Sequence, residues 1–370
     1  MGNLADVLIK LSIATVILYF VIKILSKGFD KITDIIGNME GQTRRKLIYI
    51  IVGILLILPL LISRYPYILR TSVVAIMYVV LALSLNFVLG FAGQLSMGHS
   101  AFYGIGAYVT ALLMVNFKIS FWIALIASAI VAGFFGFLLG VPTLRLKGDY
   151  LAITTIGFGE ILRLILVNWI KVTRGPAGIP GIPSPKIFGF TISNNIGYYY
   201  LILLLAFFTV FISSRLLHSR LGQGFIAVRD DEIAAEAMGI NSTYLKILAF
   251  VLGAAIAGMA GSFFATFVHY VNPDNFTYME SVTILCMVVL GGLGSIPGVI
   301  LGAIVLTILP EALRGIALYR YAIYGLLLIL MMIIRPGGMI DMDRLKGGKK
   351  NEDFGGNRSN KVIWRTNSSK

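Results

Sequence analysis

The sequence predicts an all-α fold: a polytopic transmembrane helix bundle of about 10–11 spans, some of them discontinuous. Three observations carry that reading. Hydrophobic residues make up 58% of the 370-residue chain and charged residues only 13%, too little charge to cover a soluble domain of this length. The mean hydropathy is +0.88. Apolar runs recur near the ~17–25 residues that a helix needs to cross the hydrocarbon core, and the alternating ~10-residue pattern of a membrane β-barrel is absent.

The first apolar run covers residues 4–25 and is interrupted by Lys10. No small-residue cleavage pattern follows it, so no cleaved signal peptide is expected. A span and a surface-lying amphipathic helix both fit. Residues 26–46 carry Lys27, Lys31, Arg44, Arg45 and Lys46 and are placed in the cytoplasm. Residues 1–46 thus read as an extra N-terminal helix with a basic segment, ahead of a transmembrane domain at 47–340.

Spans are predicted at 47–63, 71–90, 99–117, 121–141 and 150–170. The loop Arg145-Leu146-Lys147-Gly148-Asp149 should be cytoplasmic. Residues 171–196 are rich in proline and glycine, so no regular helix is expected there. They are placed outside, where an ordered lid and a plain connector both fit. A span at 197–214 returns the chain to the cytoplasm, and a long apolar helix at 246–270 leaves it again. Asn272-Pro273-Asp274-Asn275 ends that helix outside. Segments at 280–294 and 297–313 and a last span at 320–335 complete eleven crossings, with the N-terminus outside and the C-terminus inside. Every strongly basic loop then lies in the cytoplasm, which accounts for the net charge of +14 better than a nucleic-acid face does. Residues 341–370 lack a hydrophobic period and read as a disordered basic cytoplasmic tail.

The stretch Leu85 to Leu113 breaks in its middle, at Phe91-Ala92-Gly93-Gln94-Leu95-Ser96-Met97-Gly98-His99-Ser100. A lipid-facing helix gains nothing from that composition. Polar groups at membrane depth are tolerated where protein or a water-filled cavity satisfies them, as in the discontinuous helices of transporters. A short polar loop at the membrane surface also fits. A faint echo recurs: Val88-Leu89-Gly90 precedes this break, and Val289-Leu290-Gly291 precedes a second glycine-rich one. Small residues four apart at Gly136/Gly140, Ala254/Gly258/Ser262 and Gly294/Gly298/Gly302 suit close helix packing, within the chain or between subunits.

Several chemistries find no support. There is no G-x-x-x-x-G-K-[ST] phosphate loop and no G-x-S-x-G elbow. His99, His218 and His269 are far apart in sequence and form no H-E-x-x-H motif, so no metal site is expected. The single cysteine, Cys286, lies in an apolar run and reads as a buried inert thiol.

The polar segment Leu221 to Asn241 reads LGQGFIAVRDDEIAAEAMGIN. Asp230 or Asp231 can cap a helix start, Glu232 adds charge to its first turn, and Gly239 suits its end. The result is a short cytoplasmic helix, either an ordinary surface helix or one that docks on a partner.

Five stretches, GFAGQLSMGHSAFYGIGAYVTALL, LRLKGDYLAITTIGFGEILR, TRGPAGIPGIP, GQGFIAVRDDEIAAEAMGIN and VVLGGLGSIPGVILGA, resemble the permease subunits of bacterial branched-chain amino acid ABC importers of the LivM type. The resemblance runs in order from about residue 71 to 335. It implies a multi-pass inner-membrane subunit of a complex with a second permease, identical or related, two cytoplasmic ATPase subunits and an extracytoplasmic binding protein. It implies no cofactor in this chain, ATP being used by the partners. It also implies that 221–241 holds the coupling helix, with Asp230, Asp231, Glu232, Ala235, Glu236 and Gly239 meeting the ATPase. The broken stretch then reads as translocation path: Gln94, Ser96, His99 and Ser100 as polar lining, Gly93 and Gly98 shaping the backbone. Glu160 and Arg163, three apart on one helix, are a candidate buried ion pair. Thr154 and Thr155 are expected to bond their own helix backbone. Similar permeases carry urea or short amides, and an ion-coupled secondary carrier using Glu160 is a further alternative. An intramembrane enzyme has no specific residues behind it.

Overall fold

A computed structural model describes residues 41–312, apart from 145, 147, 188 and 189, together with 325, 329, 333 and 337–340. The first apolar run, most of the last predicted span and the tail therefore lie outside the described residues. Helix α1 covers Gly41–Ile62 and α2 Pro66–Asn86, which continues through a π-helical turn at Phe87–Phe91. Then follow α3 (His99–Val115), α4 (Phe121–Thr143), α5 (Asp149–Asn168) and the single turn α6 (Ile170–Thr173). Beyond the outer loop come α7 (Asn195–Leu217), α8 (Arg220–Asp230), α9 (Glu232–Ala237) and α10 (Ser242–Val268). The pair α11 (Tyr278–Gly291) and α12 (Ile296–Ala312) follows.

Among the described residues, five helical segments are long and apolar enough to cross a membrane: Pro66–Phe91, α4, α5, α7 and α10. Helices α3 and α11 fall short. Their 17 and 14 residues span only about 25 and 21 Å against a core of ~30 Å, so neither reaches across by its helical length alone. The bundle is organised around two members. The window of Pro66–Phe91 is 83% buried and that of α10 61%, whereas α5 reaches only 22%. Helix α10 packs most heavily on α4 and α3, and α2 packs on α7 and α12.

Small residues make these contacts possible. A Cβ on Gly106 of α3 would stand 2.1 Å from the Gly258 carbonyl oxygen of α10, so the two backbones touch where a side chain is missing. Gly136 of α4 abuts Ala254 and Phe250 in the same way, and Gly302 abuts Met287 and Gly291. The small-residue spacings thus serve packing within this chain. Hydroxyls on the spans bond their own helices, as Thr154 does to the Tyr150 carbonyl and Thr155 to that of Ala152.

Between α6 and α7 the 171–196 segment holds no regular helix, only short pieces of structure. It contains the last residues of α6, a 3₁₀ turn at Gly175–Ala177 and short strands β1 (Ile179–Pro180), β2 (Lys186–Ile187) and β3 (Phe190–Thr191). Strand β1 pairs antiparallel with β4 (Tyr270–Val271), Ile179 opposite Val271. The Gly181 and Ile182 N–H groups donate to the His269 carbonyl. The two loops are therefore tied together, because backbone bonds replace the regular structure that proline forbids.

Candidate functional site: two glycine breaks and a cytoplasmic helix

The polar break lies inside the bundle. Ser96 and His99 have no exposed surface and Ser100 almost none; Gly93 is exposed and Gln94 half-buried. The His99 Nε2 lies 2.7 Å from the Ser84 hydroxyl, which itself donates to the Leu81 carbonyl. That pattern assigns the proton to Nε2 and leaves Nδ1 as a buried acceptor. His99 Nδ1 and Ser96 Oγ have no hydrogen-bond partner among the described residues. The Met97 N–H donates to the Thr155 hydroxyl at 2.9 Å, and Gly98 sits against the Thr155 carbonyl, where a Cβ would have no room. The start of α3 also meets the start of α11: the Ser100 N–H donates to the Ser281 hydroxyl at 2.9 Å, and that hydroxyl donates to Ser100 Oγ at 2.7 Å.

The two breaks seen as an echo in the sequence touch each other. The Asn86 Oδ1 accepts the Gly294 N–H at 3.0 Å. Gly90 packs on the same amide so closely that a Cβ would stand 2.5 Å from it. Arg229 of α8 closes the junction, donating from Nη1 to the Gly90 carbonyl at 3.0 Å and pairing with Asp230 through Nε and Nη2. The second break is capped from further along the chain: the Met339 and Ile340 N–H groups donate to the Leu290 and Gly291 carbonyls.

Helix α9 is the short helix expected between the spans. Asp231 caps it by accepting the Ala234 N–H at 3.0 Å, and Gly239 ends it with φ +82°, a left-handed geometry that costs glycine least. Asp230 is the last residue of α8 and holds Arg229. The acids of α9 turn back onto the chain. Glu232 pairs with Lys246, a nearly fully buried lysine of α10, and Glu236 accepts from the Ser242 hydroxyl. Ala235 is buried against the bundle. Outward stand Ile233 on α9, 77% exposed, and Met238 just after it, 83% exposed, with Glu236 exposed beside them.

Glu160 and Arg163 do pair, Nε to Oε2 at 2.9 Å, but they are not buried as expected. Their side chains remain 39% and 28% exposed, because α5 packs on the bundle through Leu151, Ala152, Thr155 and Leu162 and leaves its other side open. Arg163 also lies 3.6 Å from Asp274 of the outer segment.

Four features escaped the sequence reading: helix α8, Arg229, Lys246 and the exposed pair Ile233 and Met238. Lys246 had a legible signal, a lysine at the head of an apolar run fourteen residues after an acid. Arg229 had none for its place at the breaks, because its partner there is the backbone carbonyl of Gly90, 139 positions away. Among the described residues no group of three His, Cys, Asp or Glu side chains is placed to hold a metal ion.

Residues 67–334 match the model of a family described as branched-chain amino acid transport system / permease component. The high-affinity branched-chain amino acid transport system permease protein LivM of Salmonella typhimurium is 39% identical over 344 residues, 85% of this chain and 80% of that protein. LivM of Escherichia coli K12 is 39% identical over 346 residues, 86% of this chain and 81% of its own length. The high-affinity branched-chain amino acid transport system permease protein LivH of Salmonella typhimurium is 28% identical over 288 residues, 71% of this chain and 91% of its own. No solved structure matches the chain.

Proposed function

The chain belongs to the permease-component family of branched-chain amino acid transport systems, and on that premise we propose that helix α9 passes the motion of a cytoplasmic ATPase to the glycine breaks of the bundle. The protein is a transmembrane permease subunit of an ATP-binding-cassette importer for branched-chain amino acids, multi-pass in the bacterial inner membrane, and not an enzyme.

One observation carries the coupling reading. Helix α9 is fastened to the central helix α10 by Glu232 and Lys246 while Ile233 and Met238 stand out from it. A short helix with apolar residues outward suits a hydrophobic groove on a partner, and its ionic anchor makes it move with the bundle. Asp231 and Gly239 set its ends, Ala235 seats it, Glu232 and Glu236 hold it, and Asp230 orients Arg229 at the breaks. The acids are thus anchors, and the apolar pair makes the contact. ATP is bound and hydrolysed by separate subunits, since this chain has no phosphate loop, and the chain itself needs no cofactor.

The substrate path runs along the break, with Gln94, Ser96, His99 and Ser100 as polar lining and Gly93 and Gly98 shaping the backbone. The open valences of His99 Nδ1 and Ser96 Oγ support this. A second permease, related or identical, completes the pathway. The tied outer loops at 171–196 and 269–275 receive the binding protein. The transport domain is 47–340, with 221–241 as its coupling segment and with 1–46 and 341–370 as additions. Tagged chain drawn from mild detergent should bring ATPase activity with it, and Ile233→Asp/Met238→Asp should strip that activity away. Leucine uptake driven by an ion gradient with no ATPase present would overturn the reading.

A further inference from the structure

The half-exposed ion pair of α5 is the feature that the coupling mechanism leaves unused. Asp149 opens α5 beside the basic cytoplasmic loop, so Glu160 stands about 16 Å along the helix, near the middle of a ~30 Å core. Charged side chains at that depth face a bundle interior or a water-filled cavity. Here Glu160 and Arg163 are only partly covered by this chain, their side chains 39% and 28% exposed, and Asp274 beside them is 72% exposed in its side chain. The neighbouring residue Gly159 packs beside Gly98 of the polar break. The charges therefore border the path on the side that the chain leaves open.

We propose that Arg163, Glu160 and Asp274 form a site for the charged head of a zwitterionic α-amino acid in transit. This rests on the transport function above. Arg163 takes the α-carboxylate through its planar fork, the geometry that guanidinium offers and ammonium does not. Glu160 and Asp274 accept from the α-ammonium. An amino acid leaving water must find partners for both its charges, and a site holding only one sign would leave the other stranded. The arrangement solves this by exchange. The Arg163–Glu160 pair opens, each member takes the opposite charge of the substrate, and the pair closes again behind it. Ile161 and Leu164, exposed on the same helix, offer apolar surface to an aliphatic side chain.

The test uses the complete complex, permeases with ATPase subunits and binding protein, reconstituted in proteoliposomes with leucine outside. Glu160→Gln/Arg163→Gln removes both charges together, so neither is left unpaired and assembly is preserved. The expected result is at least a tenfold fall in leucine uptake, with ATPase stimulation by loaded binding protein kept within twofold. Asp274→Asn, at an exposed position that does not endanger folding, should raise the KM for uptake with little change in maximal rate. The exchanged pair Glu160→Arg/Arg163→Glu should not restore uptake, because the substrate's head would meet its charges in reverse order. Uptake by the double variant within twofold of the unaltered complex would overturn the site. So would rescue by the exchanged pair, which marks a structural ion pair within α5, or loss of the second permease from the double variant, which marks a contact between subunits. An unaltered complex that takes up no leucine would instead overturn the transport function itself.

Discussion

The Lys246 ammonium, almost wholly buried on α10, meets the carboxylate of Glu232 on α9. A buried lysine without a partner is costly, so this contact fixes where the short helix sits. Lys246→Met should cost roughly 2–3 kcal/mol, below the usual range for breaking a buried pair because Glu232 keeps some access to water. The expected readout is a lower melting midpoint of the purified complex together with loss of uptake. Adding Glu232→Gln should recover most of the midpoint, a coupling that a double-mutant cycle measures.

Arg229 predicts a different failure. Its bond to the Gly90 carbonyl is charge-assisted and worth about 1.5–3 kcal/mol, so Arg229→Ala should loosen the junction of the two breaks without unfolding the bundle. Uptake per ATP hydrolysed should fall about tenfold or more, since 1.4 kcal/mol is a factor of ten. Equal losses in uptake and hydrolysis would remove Arg229 from the transmission route.

Glycines with equal standing in the sequence should behave in opposite ways. Gly106→Ala drives a methyl group into the Gly258 carbonyl of a neighbouring helix, an overpacking that costs about 1–3 kcal/mol or more. Gly157→Ala on the open side of α5 meets nothing within 4 Å and should raise stability by about 0.5–1 kcal/mol, the usual gain of alanine over glycine in a helix. Melting midpoints of the two variants, measured side by side, should move apart.

Topology can be read with thiol reagents. Cys286 is the chain's single cysteine and is 2% exposed, so native protein should resist a membrane-impermeant maleimide. In membranes from cells that lack the ATPase subunits, Met238→Cys should label in inside-out vesicles alone, and Lys186→Cys in right-side-out membranes alone. Labelling of both from one side would break the proposed arrangement of loops.

The helices were largely legible because a long apolar run in a membrane protein has few alternatives to a helix. The predicted spans at 121–141, 150–170 and 246–270 correspond to α4, α5 and α10 within a few residues. The cap at Asp231 and the stop at Gly239 were also readable, since each follows from local chemistry. What stayed hidden depends on partners distant in sequence. The junction of Asn86 with Gly294 spans 208 positions, and neither residue type announces the other. The openness of the Glu160–Arg163 pair was hidden because helical spacing predicts that two charges meet but not which side of the helix is covered.

The capping of Leu290 and Gly291 by Met339 and Ile340 bears on how the protein is made. The last carbonyls of a helix need donors from elsewhere, and here the donors are encoded some fifty residues later. While the ribosome is still extending the chain, the second break has its glycines in place but not the groups that satisfy them. It acquires its final shape only after residues 339 and 340 have been added. A nascent chain interrupted before residue 339 would then hold all the long spans described here and still lack a finished cytoplasmic junction, which makes that junction a natural point at which quality control could tell whole subunits from truncated ones.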